Sequence, residues 1–488
     1  MADLRVLSAL RIEALAVGGR VQVIGMGPQR AATAKLKVGD RPVAVAMIGV
    51  AGGVAPGLAA GALVVATELR TGDGRTRPLP SAELVAAELE RAGLPVHLGP
   101  IVSVPRFARG SERAALGADG ALAADMESAW LADTLGDLPL VVVRSVADSL
   151  DGGPVRGGLK ALAALRKVRP ALEAWAGAVA PRRVELAAPR SFCAGVERAI
   201  EIVERAIDRF GAPVYVRRQI VHNAHVVSDL EARGAVFVEE LGEVPDGATV
   251  VLAAHGVSPE VRAQATARGD LSVIDATCPL VAKVHHEARR FASQGRRIVL
   301  VGHADHEEIV GTMGEVPDSI DLVEGVGDVA RLPYGADTPI AYLTQTTLAV
   351  DETAEVVAAL RERFDALVGP SANDICYASQ NRQDAVRSLA GHCDLVLVVG
   401  SANSSNTTRL VEVARREGCR AELVEDAGQV DLRWLSGVTT LGITAGASAP
   451  EALVQQLVKA LSGLGQTEVV EYRTVEESVR FSLPTQVR

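Results

Sequence analysis

A β-rich run, a cysteine and an amphipathic helical pattern follow one another three times in the second part of this 488-residue chain. The instances are Val184–Ala188 with Cys193 before Gly195–Phe210, Ser272–Asp275 with Cys278 before Val281–Gln294, and Ile375-Cys376 before Arg382–Ala390. A thiol at a helix N-terminus lies in the field of the helix dipole and of free N–H groups, which favours the metal-binding thiolate. The pattern predicts three lobes that each contribute one cysteine to a shared metal centre; three separate structural thiols are the alternative.

The cysteine count supports metal or redox chemistry rather than disulfides. All five cysteines lie after residue 190, and an odd number in a chain without a visible secretion signal argues against a disulfide framework. Three thiolates leave a metal with an open position for substrate, whereas structural zinc sites normally have four ligands. Cys393 and Cys419 could each supply a fourth ligand, but their surroundings are typical of packing or surface thiols. We therefore predict an open three-cysteine site.

Length and charge limit the possible partners. A prior of roughly 150 residues per domain predicts about three domains. The net charge of −10 is divided into +3 for residues 1–180 and −13 for residues 181–488. Neither part has the basic surplus that binding to a nucleic acid would use, so we predict no nucleic-acid partner.

One uncharged stretch, Val43–Thr67, is long enough to resemble a membrane span. Six Gly and Pro residues interrupt it between Gly49 and Gly61, and a lipid-facing helix does not tolerate so many breakers. We interpret it as two buried strands around a Gly-rich turn. With no basic and apolar leader at the N-terminus, the sequence predicts a cytoplasmic protein without a membrane partner.

Short apolar runs alternate with helical patterns in the first 150 residues. Strands are predicted at Val21–Gly25, Val43–Val50, Leu63–Thr67 and Leu140–Ser145, and helices at Ser81–Ala92 and Met126–Leu135. This alternation is typical of a mostly parallel sheet covered by helices. A helical segment then ends at Ala180-Pro181, which predicts an N-terminal domain over 1–157, a helical linker over 158–183 and a second module over 184–488.

Two polar loops in the second module each join a strand to a helix, at Ser401–Asn406 and Ala445–Pro450. Such junctions direct N–H groups and hydroxyls at an anion, although ordinary helix capping would use the same residues. His222, His255 and His306 could add further donors. Because the module is acidic, an anionic ligand would depend on local, buried donors rather than on the overall field.

Six motifs together resemble the LytB family, whose members are 4-hydroxy-3-methylbut-2-enyl diphosphate reductases of the methylerythritol phosphate route to isoprenoids. They are Pro189–Val196, Val221–Asn223, Ala254–Val257, Asp275–Pro279, Thr344–Thr347 and Asn403–Asn406. The resemblance runs from about residue 184 to 484 with the motifs in order. It implies three α/β lobes around a central iron–sulfur cluster, and reductive dehydroxylation to isopentenyl and dimethylallyl diphosphate, with electrons from a ferredoxin- or flavodoxin-like donor.

The resemblance also implies roles for individual residues. Cys193, Cys278 and Cys376 would hold one [4Fe–4S] cluster per chain, whose fourth iron binds the substrate. The diphosphate would be held by His222, His255, His306, Ser404, Ser405, Asn406 and Ser448. Glu308 and Thr346 would lie at the hydroxyl end of the substrate, with Glu308 supplying protons directly or through Thr346.

One residue departs from the family pattern. Glu307 occupies a position where members commonly have proline. If both carboxylates pointed inward, Glu307 would raise the pKa of Glu308 by like-charge repulsion. We expect instead that Glu307 is solvated.

The N-terminal part is similar to the nucleoside phosphorylase and 5′-methylthioadenosine nucleosidase superfamily. The similar segments are Gly25–Pro28, Gly49–Gly53, Asp125–Ser128 and Arg144–Asp148. The similarity implies that Met126 and Glu127 contact a ribose, Asp148 a purine, Gly27 and Arg30 a phosphate, and Glu13 a nucleophilic water. A domain kept for folding, oligomerisation or nucleoside binding without turnover is the alternative.

Two other functions stay open for the whole chain. One is a redox sensor, based on an iron–sulfur cluster or zinc, with a nucleoside-reading domain. The other is a hydro-lyase with an open iron, which would need no reductant. The oligomeric state is not predicted.

Overall fold

The computed structural model describes residues 2–36, 43–148 and 154–488. Within these ranges, no helix combines the length and the apolar character needed to cross a membrane.

The N-terminal part alternates strands and helices, as predicted. Its elements are β1 (Asp3–Ser8), α1 (Arg11–Val17), β2 (Val21–Val23), α2 (Pro28–Thr33), β3 (Val43–Gly53), β4 (Leu63–Thr71), β5 (Thr76–Pro78), α3 (Ala82–Arg91), β6 (Val96–Ser103), α4 (Gly110–Ala118), β7 (Ala123–Asp125), α5 (Ser128–Leu135), β8 (Leu140–Asp148), α6 (Pro154–Leu165) and α7 (Arg169–Ala178). The uncharged stretch forms β3 and β4, so its interpretation as two buried strands is confirmed.

These strands form one sheet that closes on itself. β3 pairs with β7, β7 with β6, β6 with β4, β4 with β8 and β8 with β3, while β1, β2 and β5 extend the ring. Five of the pairings are parallel and three are antiparallel, which agrees with the predicted mostly parallel sheet. The closure was not predicted, because it depends on β8 pairing with two strands that are distant in sequence.

Three further sheets belong to the second part of the chain. Their strands and helices are β9 (Arg182–Ala188), α8 (Ala194–Phe210), β10 (Val214–Arg217), α9 (Ala224–Ala232), β11 (Ala235–Val238), β12 (Thr249–Leu252), α10 (Pro259–Ala267), β13 (Ser272–Asp275), α11 (Pro279–Ser293), β14 (Arg297–Val301), α12 (Glu307–Glu315), β15 (Ile320–Val323), α13 (Val326–Val329), β16 (Ile340–Thr344), α14 (Val350–Arg363), α15 (Tyr377–Ala390), β17 (Leu395–Val399), α16 (Ser405–Arg416), β18 (Arg420–Val424), β19 (Thr440–Ala445), α17 (Glu451–Ser462) and β20 (Thr467–Arg473). The strand orders are β11-β10-β12-β13, β15-β14-β16 and β18-β17-β19-β9-β20, so the predicted three-lobed α/β architecture is confirmed.

Sequence periodicity explains how these elements pack. In α8, Ala199, Ile202, Val203 and Ala206 recur at helical spacing and are all fully buried in the core beneath the four-stranded sheet. In β14 the consecutive residues Ile298, Val299 and Leu300 are buried, because helices cover both faces of a parallel sheet.

Each of the three predicted cysteines directly precedes a helix. Cys193, Cys278 and Cys376 are the N-cap residues of α8, α11 and α15. Strands β9 and β13 come before the first two, as predicted. The predicted strand at Ile375-Cys376 is wrong, because this segment is an irregular loop whose Cys376 N–H donates to the carbonyl of Thr346.

Contacts divide the chain into two compact units, residues 1–184 with 426–441 and 455–470, and residues 185–425 with 442–454 and 471–488. Inside the first unit, Arg91 of α3 donates to the carbonyls of Gly428 and Val430. Trp175 of α7 is fully buried and donates to the hydroxyl of Ser81. The segment predicted as a linker therefore contains a helix that packs into this unit.

Candidate active site

All twelve residues that the sequence predicts for the cluster and the substrate line one cavity of the second unit. They are Cys193, Cys278, Cys376, His222, His255, His306, Glu308, Thr346, Ser404, Ser405, Asn406 and Ser448. They lie at strand ends and helix N-termini of all three lobes. Folding therefore brings together residues as far apart in sequence as Cys193 and Ser448.

The three thiols occupy one wall of this cavity. Gly195 in the first turn of α8 faces two of them, and a Cβ added there would lie 2.8 Å from Cys278 Sγ and 3.7 Å from Cys193 Sγ. The third sulfur, Cys376 Sγ, accepts from the backbone N–H of Ser379 at 3.3 Å and lies 3.1 Å from the Ser379 hydroxyl. The glycine leaves open space beside the sulfurs. Three soft sulfur donors next to such a space fit an iron–sulfur cluster.

The thiols of Cys278 and Cys376 do not have the lowered pKa that their positions at helix N-termini predicted. Burial, together with the charges of Cys193 and Cys376, raises the pKa of Cys278 to about 12. Burial likewise raises the pKa of Cys376 to about 11, with Cys193 adding to the effect. The helix dipole is thus outweighed by desolvation and by mutual repulsion of the sulfurs. A cationic centre bound between them would remove both penalties.

Three histidines form a second wall. The His222 and His255 rings are stacked with centroids 4.1 Å apart, and His306 meets both edge-on at 5.7 and 5.8 Å. Burial, together with the neighbouring imidazoles, lowers the pKa of His222 to about 3 and that of His306 to about 4. Near neutral pH these two rings are uncharged and can act as N–H donors.

Hydroxyl and amide groups at the start of α16 face the same space. Ser404 caps the helix through Thr407 N–H and accepts a hydrogen bond from Ser448, 3.2 Å away. The Ser405 hydroxyl lies 2.9 Å from that of Thr347. Asn406 accepts from Ala447 N–H at 2.8 Å and donates to Ser379, which contacts the Cys376 sulfur. The predicted polar loops thus cap helices and also line the cavity.

Glu308 and Thr346 form a buried pair at the cavity wall. The Thr346 N–H and hydroxyl donate to the two Glu308 carboxylate oxygens, each at 2.8 Å. Burial raises the pKa of Glu308 to about 7, and Asp374 contributes in the same direction. Glu308 can therefore hold a proton near neutral pH, although it is a carboxylic acid.

The expectation that Glu307 is solvated is wrong. Its side chain is 21% exposed, and its carboxylate lies 3.5 Å from His255 Nδ1 and 3.7 Å from an Arg218 nitrogen. These partners lower the pKa of Glu307 against the effect of burial. The raised pKa of Glu308 is due to burial rather than to repulsion by Glu307.

Several groups at the site were not predicted as functional residues. Gln345 is fully buried and donates to Thr347 and Ser405, and Tyr377 and Phe481 line the cavity. Gln345 and Thr347 lie within the quoted Thr344–Thr347 motif, which could have revealed them. No local signal marks Phe481, because its position depends on the course of the C-terminal segment.

Arg382 of α15 connects segments on either side of two cysteines. Its fully buried guanidinium donates to the carbonyls of Ser191 and Phe192, just before Cys193, and to Ala378, just after Cys376. It also pairs with Glu477 of the C-terminal segment, with an N–O distance of 3.1 Å. A single cation thus fixes the backbone around two of the three thiols.

The N-terminal part contains a second cavity, and the predicted residues Glu13, Met126, Glu127 and Asp148 all line it. Glu13 is buried and accepts from the N–H groups of Leu10 and Val50. Glu127 accepts from Gly27 N–H at 3.0 Å, and burial raises its pKa. Gly27 therefore contacts a site carboxylate, whereas Arg30 does not line this cavity.

Two arginines that pair with carboxylates of this second cavity were missed. Arg144 is fully buried and binds Asp125 at 2.7 Å, with Glu127 3.7 Å away. Arg113 of α4 pairs with Asp148 at 3.0 Å and donates to the Gly53 carbonyl. Arg144 stands in the quoted Arg144–Asp148 motif, so the sequence contained a signal for it. Arg113 is placed by the fold alone.

Comparison with known proteins matches both parts of the chain. Residues 184–462 match the family model described as LytB protein, and residues 14–168 match that of the Phosphorylase superfamily. A 4-hydroxy-3-methylbut-2-enyl diphosphate reductase of Cutibacterium acnes is 56% identical over 313 residues, which cover 64% of this chain and 97% of the relative. A reductase of the same name, numbered 1, from Mycobacterium tuberculosis is 58% identical over 309 residues, which cover 62% of this chain and 94% of that relative.

A solved structure supports the same assignment. The E-1-hydroxy-2-methyl-but-2-enyl-4-diphosphate reductase of Plasmodium falciparum has a TM-score of 0.61 and 37% identity, and covers 63% of this chain and 97% of its own. The N-terminal part is similar to the Phosphorylase superfamily over the matched residues. More than half of the chain matches the LytB model, over all three cavity cysteines and all three histidines, and the chain therefore belongs to the LytB protein family.

Proposed function

We propose that this chain is a 4-hydroxy-3-methylbut-2-enyl diphosphate reductase that forms isopentenyl and dimethylallyl diphosphate, the last step of the methylerythritol phosphate route. The observation that carries the proposal is the single cavity, where three thiols, three histidines and the Glu308–Thr346 pair meet. In the reaction the C–O bond of an allylic alcohol breaks, while two electrons and two protons enter. One proton leaves with the hydroxyl as water, and the other forms the new C–H bond.

Cys193, Cys278 and Cys376 would hold an iron–sulfur cluster, and we propose one [4Fe–4S] cluster per chain. When bound, such a cluster supplies electrons one at a time and a Lewis-acidic iron without a protein ligand. We propose a ferredoxin- or flavodoxin-like protein as electron donor. The role of the chain is to keep the three thiols at one wall, as the contacts of Arg382 and Ser379 do.

The diphosphate end of the substrate would face His222, His255 and His306 and the start of α16. Imidazole N–H groups and the hydroxyls of Ser404, Ser405 and Ser448 can donate hydrogen bonds to phosphate oxygens. The first N–H groups of α16 add the partial positive charge of a helix N-terminus. This anchoring fixes the position of the allylic alcohol within the same cavity.

Glu308 would act as the proton donor to the departing hydroxyl. Its pKa of about 7 lets it carry a proton at neutral pH. The Thr346 hydroxyl, 2.8 Å from Glu308, can pass that proton on by rotating between carboxyl group and substrate. A carboxylic acid with a pKa near the working pH is well suited to general acid catalysis.

An anaerobic assay of the full chain with reconstituted cluster tests the proposal. We expect consumption of the hydroxylated diphosphate only with a reduced one-electron donor, and four iron and four sulfide ions per chain. Turnover without reductant would favour a hydro-lyase. A colourless protein with stoichiometric zinc and no turnover after reconstitution would contradict the proposal and favour a sensor.

We propose nucleoside binding for the domain predicted over 1–157, with 158–183 as the following helical segment and 184–488 as the reductase. Glu127 and Met126 would contact a ribose, Asp148 a purine and Glu13 a water. The proposal is supported by the presence of all four residues in one cavity and by the superfamily match. Calorimetric titration with purine nucleosides tests it. Binding that is lost in Glu127→Gln supports the proposal, and no binding by the wild-type chain contradicts it.

A further inference from the structure

A second group of metal-binding side chains lies outside the cavity, in the five-stranded sheet of the second unit. Glu185 is on β9, and His392 and Cys393 form the turn between α15 and β17. One ligand atom from each residue, a carboxylate oxygen, an imidazole nitrogen and the thiol sulfur, lies within 4.8 Å of the other two. Ligand atoms around a tetrahedral zinc ion, at 2.0–2.3 Å from the metal, have separations of roughly 3–4 Å. Small side-chain shifts would close this group around an ion.

The fold brings these groups together at the boundary between core and solvent. Glu185 is 4% exposed, Cys393 is at the edge of the apolar core under α15 and α16, and the His392 side chain is 41% exposed. Gly442 on β19 makes room for the sulfur, because a Cβ added there would lie 3.2 Å from Cys393 Sγ. The Tyr472 ring packs against His392 with centroids 5.6 Å apart. The donors are therefore held in place, and the imidazole gives access from solvent.

A buried carboxylate needs a compensating positive charge. Glu185 contacts His392 Nε2 directly, so a protonated imidazole is one such charge. An imidazolium, however, would not explain why a thiol completes the group. Thiolate, imidazole and carboxylate are together the ligand types that zinc selects in proteins.

We propose that Glu185, His392 and Cys393 form a Zn²⁺ site that is separate from the iron–sulfur site. Water occupies the fourth position, on the exposed side of His392. The site joins β9, which leads to Cys193, to the end of α15, the helix that begins at Cys376. Bound zinc would link β9 to the C-terminal end of α15, the two elements that lie next to Cys193 and Cys376 in the sequence.

Binding requires a neutral imidazole and a thiolate. The Cys393 thiol therefore loses one proton when Zn–S forms, and no electrons are transferred.

The test uses untagged, full-length protein whose iron–sulfur cluster has been loaded anaerobically, so that the three cavity thiols are occupied. The protein is dialysed against buffered Zn²⁺, and zinc and iron are measured in the same samples. We expect one zinc per chain with unchanged iron. Zinc X-ray absorption should show one sulfur ligand at about 2.3 Å.

Substitutions of the proposed ligands test whether the zinc binds at this site. We expect His392→Asn and Cys393→Ser each to weaken zinc binding by more than about tenfold. His392→Asn changes a partly exposed side chain, so it tests the site even if Cys393→Ser fails to fold. Cys419→Ser is the matched control, since Cys419 is a buried cysteine next to Cys393 whose sulfur contacts the Cys393 carbonyl, and it should keep its zinc.

Three results would overturn the proposal. The first is equal zinc binding by wild type and His392→Asn. The second is zinc uptake matched by loss of iron, which would place zinc at the cavity thiols. The third is no zinc bound by the wild-type holoenzyme. The first and third results leave the reductase activity untested, and that activity is measured separately in the anaerobic assay, so the proposed function and the zinc site can fail independently.

Discussion

Glu307 and Glu308 are neighbours at the start of α12, yet their carboxylates have opposite surroundings. Glu308 points into the protein, accepts from Thr346 and has a raised pKa. Glu307 lies beside His255 and Arg218 and has a lowered pKa. At neutral pH the first can hold a proton while the second is ionised. Adjacent acidic residues can thus have different roles because burial and partner charge differ.

Replacement of Glu308 by Gln should remove the proton donor while keeping the shape of the side chain. We expect turnover to fall by about a hundred- to ten-thousandfold, with the iron content unchanged. The measurement is the anaerobic steady-state rate with a chemical one-electron donor. Glu362→Gln, at an exposed position of α14, is the control and should match wild type. Full turnover by a cluster-loaded Glu308→Gln variant would exclude Glu308 from the mechanism.

The same substitution should change how stability depends on pH. Folded Glu308 keeps its proton up to a pKa of about 7, while its ordinary value is 4.5. Between these values the unfolded chain has lost the proton and the folded chain has not, so the wild-type free energy of unfolding decreases as pH rises. Glu308→Gln cannot ionise. Its melting temperature relative to wild type should therefore be higher at pH 8 than at pH 5, and an equal difference at both values would contradict this.

Several residues of the site lie at helix N-termini: a cysteine precedes each of α8, α11 and α15, and a serine precedes α16. The sequence predicted these junctions because capping residues and apolar periodicity are local signals. It did not predict that burial would reverse the expected effect of the helix on the thiol pKa. That reversal requires the three junctions to meet, since burial and the charge of Cys193 raise the pKa of both Cys278 and Cys376.

Gly195 in α8 lies close to two of the cysteine sulfurs, so a substitution there tests the location of the cluster. In Gly195→Ala the new Cβ would lie 2.8 Å from Cys278 Sγ, closer than van der Waals contact allows. We expect a folded protein with less than about half of the wild-type iron after reconstitution, since closely packed groups cannot absorb such an overlap. In Gly177→Ala of α7, no atom of the described residues would lie within 4 Å of the new Cβ, so this variant should keep its iron and gain about 0.5–1 kcal/mol in stability. Equal iron in both variants would contradict the proposed location of the cluster.

The two compact units of the chain do not follow the order of the two sequence modules. Residues 426–441 and 455–470 follow the LytB motifs, yet they pack with residues 1–184 in one compact unit. Gly463 lies so close to Ser81 that an added Cβ would be 2.4 Å from its backbone nitrogen. Ala180 N–H donates to the Leu464 carbonyl in the same unit. The N-terminal residues therefore cover surface that belongs, in sequence, to the second module.

Removal of the N-terminal part should consequently destabilise what is left. A chain of residues 184–488 would expose Leu432 and Leu435, which are fully buried in the full-length protein near α7. We expect a melting temperature more than about 5 °C lower than that of the full chain, because a few kcal/mol of apolar burial is lost. Thermal unfolding with a hydrophobic dye would measure both effects. Equal melting temperatures would show that the reductase module is stable alone.

Local order along the chain was sufficient to predict the α/β class, the cysteines at helix N-termini and the uncharged strand pair, whereas the other predicted residues of the two cavities came from the family resemblances. These features depend on residue type and on periodicities of two to four residues. Family resemblance supplied the roles, which stay proposals for the individual residues.

Folding in three dimensions alone decided the closed N-terminal ring, the irregular loop before Cys376, the partners of Glu307 and the sharing of residues 426–441 with the first unit. It also brought Glu185 to His392 and Cys393. Each of these depends on contacts between residues distant in sequence, or on desolvation once those contacts form. Neither long-range pairing nor the electrostatic cost of burial is contained in the local pattern of a chain.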